Sequence, residues 1–380
     1  MADRDINQND VQDDGSPLAE KTSGERASLR GELDRVKLIA TGGMSQIFRA
    51  RQPSLDRFIV VKKLKDELLF NPETVERFRR EAKALASVLH QNVAHVYDFV
   101  ENGRESYILM EYIEGIDVSQ LVDKVGNLPP EIAAAILLGV CRGVSYLHAH
   151  NLIHRDIKPS NIRLTTRGEV KLMDFGIVMD IENQGLTRPG MMVGSPSYLS
   201  PEQVLGDAIS PKADVFLLGI CLYEMLTGTR PFKEGNGQTI FQKIRESDYV
   251  PVRDMQSKVP VALEKVVRKC LQKNPDRRFE GVKDLGTELE RFLGAYKSSH
   301  TEDLILKFLD DEALLAPSVP YEEVREYRTW RDSISAPIIA AAGGILILAF
   351  VVGFALGRHS QSLSLGVRFP GQTVKVPFVN

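Results

Sequence analysis

Cysteine is scarce in this chain: only three residues among 380 are cysteine. Cys141, Cys221 and Cys270 all lie in apolar stretches with a helical pattern, so we interpret them as reduced core residues of a cytosolic domain. An excess of charge is also lacking, since 48 basic and 51 acidic residues leave a formal net charge of −3. There is accordingly no electrostatic argument for nucleic acid as a partner.

The N-terminal stretch lacks the apolar core that a secretory signal requires. Its charged and polar composition is typical of a segment that cannot bury enough apolar surface to fold. We therefore expect residues 1–33 to form a disordered cytosolic tail.

The most informative segment runs from His154 to Asn161 and is followed by Asp174 in an Asp-Phe-Gly motif. One His-x-Asp tripeptide is usually a turn, but two ordered motifs at this spacing are specific for phosphoryl transfer. In this pattern Asp156 accepts the proton of the attacking hydroxyl, and Lys158 neutralises charge on the transferred group. Asn161 and Asp174 hold the magnesium ions that bridge the phosphates of ATP.

These motifs resemble the catalytic and magnesium loops of the eukaryotic-type protein kinase family, in particular its bacterial membrane-bound serine/threonine branch. The resemblance implies an α+β fold of two lobes over residues 34–297. A small β-rich N-lobe with one regulatory helix spans residues 34–114, and a larger, mainly helical C-lobe spans residues 115–297. It also implies ATP and Mg²⁺ as cofactors, with Mn²⁺ as an alternative metal, and protein serine or threonine hydroxyls as substrates.

A glycine-rich segment upstream resembles the family's phosphate-covering loop, in which small residues let backbone N–H groups approach anionic oxygens. Ala40 and Ser45 stand where the family has its first and third glycines, and the loop alone is better explained as an ordinary Gly-Gly hairpin. Lys62 ends the next apolar strand and corresponds to the lysine that grips the α and β phosphates. The loop residues that the resemblance assigns to ATP are Ile39, Ala40, Gly42, Gly43, Ser45 and Ile47.

A helix start is predicted at Asn71, where a polar cap precedes a proline. Glu81 lies on this helix and matches the family's glutamate that orients the phosphate-binding lysine. Lys63 should face solvent, because alternate strand residues point to opposite faces. By this resemblance, Met110 is the gatekeeper beside the adenine. Glu111 and Ile113, in the hinge that follows, offer backbone hydrogen bonds.

Arg163 departs from the family, which places an apolar side chain there as the floor under the adenine. A guanidinium can stack on a planar ring, but its charge needs a partner, so we expect weakened rather than abolished nucleotide binding. Ala40, Ser45 and Arg163 keep an alternative open, in which the chain is a catalytically weak pseudokinase and a membrane-tethered scaffold. A small-molecule phosphotransferase is disfavoured by residues 198–202 and by Arg278, and a plain membrane receptor explains least.

The segment after the Asp-Phe-Gly motif resembles an activation loop. Ser195 takes the place of a threonine that, in relatives, bonds to the catalytic aspartate and lysine and favours serine or threonine substrates. Thr187 matches a position that relatives phosphorylate, where phosphate pairs with the arginine corresponding to Arg155. A mobile loop residue is the alternative interpretation of Thr187.

Three further residues are assigned structural roles. Glu202 lies in a Ser-Pro-Glu segment where the family shows Ala-Pro-Glu. Together with Arg278 it matches a buried ion pair of the family. Asp214 opens a nearly continuous apolar run that Gly228 stops, which predicts a buried helix with a glycine cap.

Residues 334–357 contain no charge and are dominated by apolar side chains. About 20 such residues span a bilayer, so we predict one transmembrane helix in a bacterial cytoplasmic membrane. The kinase domain needs cytosolic ATP, which makes residues 298–333 a juxtamembrane linker and residues 358–380 a short extracytoplasmic tail. Residues 301–315 have the pattern of a helix that docks on protein, although a plain linker explains them about as well. Gly353 and Gly357 have the GxxxG spacing of a homodimer interface, which chance explains equally well.

Overall fold

A computed structural model describes residues 33–101, 105–174, 196–235, 237–295 and 300–314, together with two short strands within residues 366–375. The chain divides into two compact units, residues 1–317 and 318–380. Thr187, Ser195 and the predicted membrane segment 334–357 lie outside the described residues.

The first lobe is a five-stranded antiparallel sheet in the order β1-β2-β3-β5-β4, packed against one long helix. Its strands are β1 (Asp34–Thr41), β2 (Ser45–Gln52), β3 (Arg57–Leu64), β4 (Val96–Glu101) and β5 (Ser106–Glu111), and its helix is α1 (Pro72–Ala86). As predicted, α1 begins at Asn71, whose side chain accepts hydrogen bonds from the backbone N–H groups of Glu73 and Thr74. Phe78 and Leu85 on α1 are buried against the sheet side of the lobe.

The second lobe is mainly helical, with a small antiparallel sheet in the order β6-β7-β8 near its junction with the first. The strands are β6 (Gly115–Asp117), β7 (Ile162–Thr165) and β8 (Val170–Leu172). The helices are α2 (Val118–Val125), α3 (Pro130–Ala149), α4 (Pro201–Leu205), α5 (Lys212–Thr227), α6 (Ile240–Glu246), α7 (Val252–Met255), α8 (Val261–Cys270), α9 (Val282–Leu293) and α10 (Thr301–Asp311). The expected two-lobed α+β architecture is thus confirmed.

The core of the second lobe is built around α3 and α5. Every residue of α5 from Ala213 to Thr227 is buried, and the helix ends at Gly228 in the left-handed conformation with φ 71°, as the sequence predicts. Of the described residues, only α3 forms a helix long and apolar enough to cross a membrane. Most of α3 is buried within the lobe, so we interpret it as a core helix of the folded domain.

One helix and one pair of strands follow this lobe core in the described part of the chain. Helix α10 lies within residues 301–315, whose sequence pattern fits a docking helix or a linker, and it buries Ile305 and Leu309 completely. In the second unit, β9 (Gly366–Phe369) pairs antiparallel with β10 (Gln372–Lys375).

Candidate active site

A lysine whose side chain is 13% exposed joins the sheet of the first lobe to its helix. Lys62 on β3 donates a hydrogen bond from Nζ to Oε1 of Glu81 on α1 at 2.8 Å. The same Nζ lies 3.5 Å from Oδ1 of Asp174, which follows β8 in the second lobe. Burial alone would lower the pKa of Lys62, but the negative charges of Glu81 and Asp174 outweigh it and raise that pKa. The lysine is therefore a fixed cation between the two lobes.

The loop before β7 gathers the polar groups that the sequence motif predicts. Lys158 donates from Nζ to Oδ2 of Asp156 at 2.7 Å. Asn161 Nδ2 donates to the backbone oxygen of Asp156 at 2.9 Å and to that of Asp174 at 3.2 Å. Asp156, Lys158, Asn161 and Asp174 therefore form one hydrogen-bonded group, and Lys62 extends it into the first lobe.

Asp214, at the start of α5, anchors the loop before β7 through hydrogen bonds to the loop backbone. Its carboxylate is fully buried and accepts hydrogen bonds from the backbone N–H groups of His154 and Arg155, each at 2.9 Å. The ring Nε2 of His148 lies 2.7 Å from the same carboxylate. Arg155 takes a left-handed conformation with φ 67°, which is uncommon for a residue with a side chain and is fixed here by these contacts. Sequence reasoning missed His148, because nothing in local spacing connects α3 to α5.

His154 is a structural part of the loop. Its Nδ1 accepts from the backbone N–H of Asp156 at 3.3 Å, and its Nε2 lies 3.3 Å from the carbonyl oxygen of Met173. These partners assign a neutral ring that carries its proton on Nε2. Burial lowers the pKa of His154, although the neighbouring carboxylates, Asp214 first, act in the opposite direction. The ring ties the loop to the residue that precedes Asp174.

The connection between the lobes, residues 111–115, is called the hinge below. Met110 and Ile113 are buried on either side of Glu111, whose side chain pairs with Lys171 at 3.0 Å. Arg163 on β7 donates from Nε to the backbone oxygen of Ile113 and from Nη2 to that of Gly115, both at 2.7 Å. The guanidinium therefore finds its partners in the hinge backbone, which sequence reasoning did not identify.

In the strand-turn-strand formed by β1 and β2, β1 and the start of the turn are exposed, whereas β2 is mostly half-buried. Ala40 pairs with Ile47 across the two strands, and Gly42 donates its N–H to the carbonyl oxygen of Ser45 at 2.8 Å to close the turn. Ile39 lies on β1 and Gly43 lies in the turn. The segment adopts the predicted hairpin.

The prediction that Lys63 faces solvent is wrong. Its side chain is only 15% exposed. It lies 2.9 Å from Asp66 and 3.4 Å from Glu105. The outer face of β3 is covered by these neighbours, and strand alternation does not reveal such cover.

A buried ion pair between Arg278 and Glu202 connects α4 to the helical core of the second lobe. Arg278 donates to both carboxylate oxygens of Glu202, which lies in α4. The same guanidinium also donates to the backbone oxygens of Lys212, Gln272 and Lys273. All five N–H donors of the guanidinium therefore have acceptors, so the charge is fully compensated despite its burial.

The oxygen atoms near Asp174 fit a hard divalent cation. Among the described residues there is no group of three or more His, Cys, Asp or Glu side chains that could hold a metal ion. Mg²⁺ is commonly bound by one or two protein oxygens together with substrate phosphates and water. Asn161 and Asp174 each carry such an oxygen, and Asn161 Nδ2 lies 3.2 Å from the backbone oxygen of Asp174, so this pair fits Mg²⁺ that arrives with a nucleotide.

Comparison with known proteins agrees with this geometry. Residues 33–285 match the family model described as protein kinase domain. The chain is 37% identical over 277 residues to the serine/threonine-protein kinase PknB of Mycolicibacterium smegmatis, a match covering 71% of this chain and 44% of that protein. It is 33% identical over 267 residues to the serine/threonine-protein kinase PrkC of Bacillus subtilis, covering 70% of this chain and 41% of that protein.

A probable serine/threonine-protein kinase of Clostridium perfringens is 35% identical over 263 residues, which is 69% of this chain and 38% of the relative. The match to each of these three relatives thus spans less than half of the relative's length. The family-model match covers the first lobe and the second lobe as far as residue 285.

Proposed function

Because the chain belongs to the protein kinase family, we propose that it transfers the γ-phosphoryl group of ATP to serine or threonine hydroxyls of proteins. The observation that carries this proposal is the position of Lys62, 2.8 Å from Glu81 and 3.5 Å from Asp174. It supports an assembled cleft, in which groups from both lobes converge on one place where phosphates would bind.

Each residue of the cleft has a role in this proposal. Lys62, held by Glu81, neutralises the α and β phosphates of the nucleotide. Asp156 accepts the proton of the attacking hydroxyl, while Lys158 offsets the negative charge that develops on the transferred group. Positioning and electrostatic stabilisation supply nearly all of the catalysis in such a site, because little covalent chemistry falls to the protein.

Asn161 and Asp174 hold Mg²⁺, with Mn²⁺ as an alternative. When bound, the metal neutralises phosphate charge. Met110 and the hinge backbone of residues 111–113 would hold the adenine, and the segment with Ile39, Ala40, Gly42, Gly43, Ser45 and Ile47 would cover the phosphates.

The scaffold alternative gains no support from the described residues, because the polar groups that transfer requires are present and close together. The test uses the full chain, radiolabelled ATP and a general protein substrate. We expect Asp156→Asn to lower the rate of labelling by about a hundredfold or more. Glu131→Gln, at the start of α3 and away from the cleft, is the control and should label like the wild type. Equal labelling by the wild type and Asp156→Asn would contradict the proposal.

We also propose that residues 334–357 tether the kinase to a bacterial cytoplasmic membrane. Their length and lack of charge support one spanning helix, with residues 1–333 in the cytoplasm. Protease added outside spheroplasts should then remove a C-terminal tag and spare an N-terminal one. The opposite pattern would reverse the orientation.

Autophosphorylation on the activation segment is the last part of the proposal. Thr187 would carry a phosphate that pairs with Arg155, and Ser195 would contact the catalytic loop. Phosphosite mapping of active protein, together with the kinetics of Thr187→Ala, tests the switch. An active preparation without phosphate on Thr187, and with full activity in Thr187→Ala, would remove it.

A further inference from the structure

A helix outside the family-matched range packs on the hairpin that joins the two proposed metal ligands. The match ends at residue 285, whereas α10 spans Thr301–Asp311. From these contacts we propose that α10 positions the β7–β8 hairpin, and through it Asn161 and Asp174. The inference rests on the proposed function for the roles of those two residues.

The hairpin has the two metal-ligand candidates at its open end. Asn161 immediately precedes β7, and Asp174 follows β8 by one residue. Met173 donates its N–H to the carbonyl oxygen of Asn161 at 2.8 Å, and this hydrogen bond joins the two sides of the hairpin directly beside both residues. A change in the tilt of the hairpin therefore moves both ligands together relative to Lys62 in the first lobe.

The turn of the hairpin, at the end away from Asn161 and Asp174, contacts the backbone of α10. Gly168 lies in the turn with φ 77°, and a Cβ atom placed there would lie 2.2 Å from the carbonyl oxygen of Glu302. It would also lie 2.9 Å from the backbone N of Leu306. No side chain fits between the turn and the helix, so glycine is required both for the conformation and for the close approach.

The same face of α10 is also anchored in the core of the lobe, because residues 302, 305, 306 and 309 have the i, i+3, i+4, i+7 spacing of one helix face. Ile305 and Leu309 are each 0% exposed, and Leu304 and Phe308 add partly buried contacts. A terminal helix that buries two apolar side chains completely is a packed element of the domain, and we expect it to restrain what it touches. The hairpin turn is one of those neighbours.

Charge adds little to this contact. Arg142 on α3 lies 3.9 Å from Glu302 and 3.7 Å from Glu290 on α9, and all three side chains are substantially exposed. Surface pairs of this kind contribute little. The apolar anchors and the Gly168 approach are therefore the features to test.

The experiment compares full-length variants on the two sides of the contact. Ile305→Asp places a carboxylate in the buried face and undocks α10, whereas Lys307→Asp makes a similar change at an exposed position of the same helix. Gly168→Ala disturbs the contact from the hairpin side. We expect Ile305→Asp and Gly168→Ala to raise the Mg²⁺ concentration for half-maximal activity by about threefold to thirtyfold. Lys307→Asp should match the wild type.

Two further measurements separate positioning from general loss of stability. Hydrogen exchange should show faster exchange of the β7–β8 amides in Ile305→Asp, with the α5 amides still protected. A synthetic peptide of residues 300–314, added to Ile305→Asp, should restore the Mg²⁺ dependence. Undocking of α10 without change in hairpin exchange or Mg²⁺ dependence would overturn the inference. A wild-type chain without ATP turnover would contradict the proposed function alone, because hairpin exchange is measured without turnover.

Discussion

Arg278 and Glu202 are joined by two parallel hydrogen bonds, from Nη1 to Oε1 at 2.7 Å and from Nη2 to Oε2 at 2.8 Å. The two side chains are 0% and 6% exposed. A buried charge pair of this geometry contributes modestly over an apolar replacement, but removing one partner leaves the other charge uncompensated. The pair thus makes the fold depend strongly on each of its members.

We expect Glu202→Gln to lower the free energy of unfolding by about 3 to 5 kcal/mol. The comparison is Glu246→Gln, which breaks a pair with Lys273 of similar length, 2.8 Å, whose side chains are 46% and 52% exposed. That change should have a much smaller effect on the free energy of unfolding, because solvent screens the exposed pair. Urea denaturation of both variants measures the difference, and equal losses would show that burial of the Glu202 pair has no special effect.

The sequence predicts the parts of this fold that depend on local pattern. The start of α1 at Asn71 and the end of α5 at Gly228 both follow from capping rules. The spacing of Lys62 and Glu81, matched to a family motif, predicts a contact that is present at 2.8 Å. Such features are readable because each is set by a few residues.

The parts that could not be predicted depend on long-range packing. His148 meets Asp214 only because α3 packs beside α5, and Tyr198 donates to the buried Glu224 across 26 positions of the chain. Lys63 is predicted to face solvent but is covered by Glu105, which lies just before β5 in the chain. In each case a side chain from a distant segment changes the environment, and neither periodicity nor propensity contains that information.

The buried imidazole of His154 should make stability depend on pH. Burial lowers its pKa in the folded state below the ordinary value of about 6.5. Below that value the unfolded chain binds the proton and the folded chain does not, so the free energy of unfolding falls as the pH falls. The loss continues down to the lowered folded-state pKa.

We expect a slope of at most about 1.4 kcal/mol per pH unit from this group between pH 6.5 and the folded-state pKa. His154→Gln should be less stable than the wild type at pH 8 but should show a shallower slope in urea denaturation between pH 5.5 and 7. The same slope in the variant and the wild type would assign the acid sensitivity to other groups.

The three cysteines should be inert in the folded protein. Cys141, Cys221 and Cys270 are at most 1% exposed, and burial raises the pKa of each thiol. The reactive thiolate is therefore both scarce and shielded. A chromogenic disulfide reagent should titrate no thiol in the native chain and three in denaturant. Rapid reaction of one thiol under native conditions would show local opening around it.

Arg163 offers the last prediction, because the family resemblance implies an apolar side chain at this position, under the nucleotide base. Its guanidinium is held by the carbonyl oxygens of Ile113 and Gly115, each at 2.7 Å, so it stays beside the hinge. A base that covers it must remove water from a charged group, and the two hydrogen bonds offset only part of that cost.

We therefore expect Arg163→Leu to lower the dissociation constant for ATP by severalfold, roughly the factor that one or two buried methylene groups supply. Arg163→Lys keeps the charge but cannot bridge both carbonyl groups as the planar fork does, so it should bind ATP no more tightly than the wild type. Calorimetric titration with ATP and Mg²⁺ measures all three proteins. An unchanged or raised dissociation constant in Arg163→Leu would mean that the two hinge hydrogen bonds contribute more to nucleotide binding than the charge takes away.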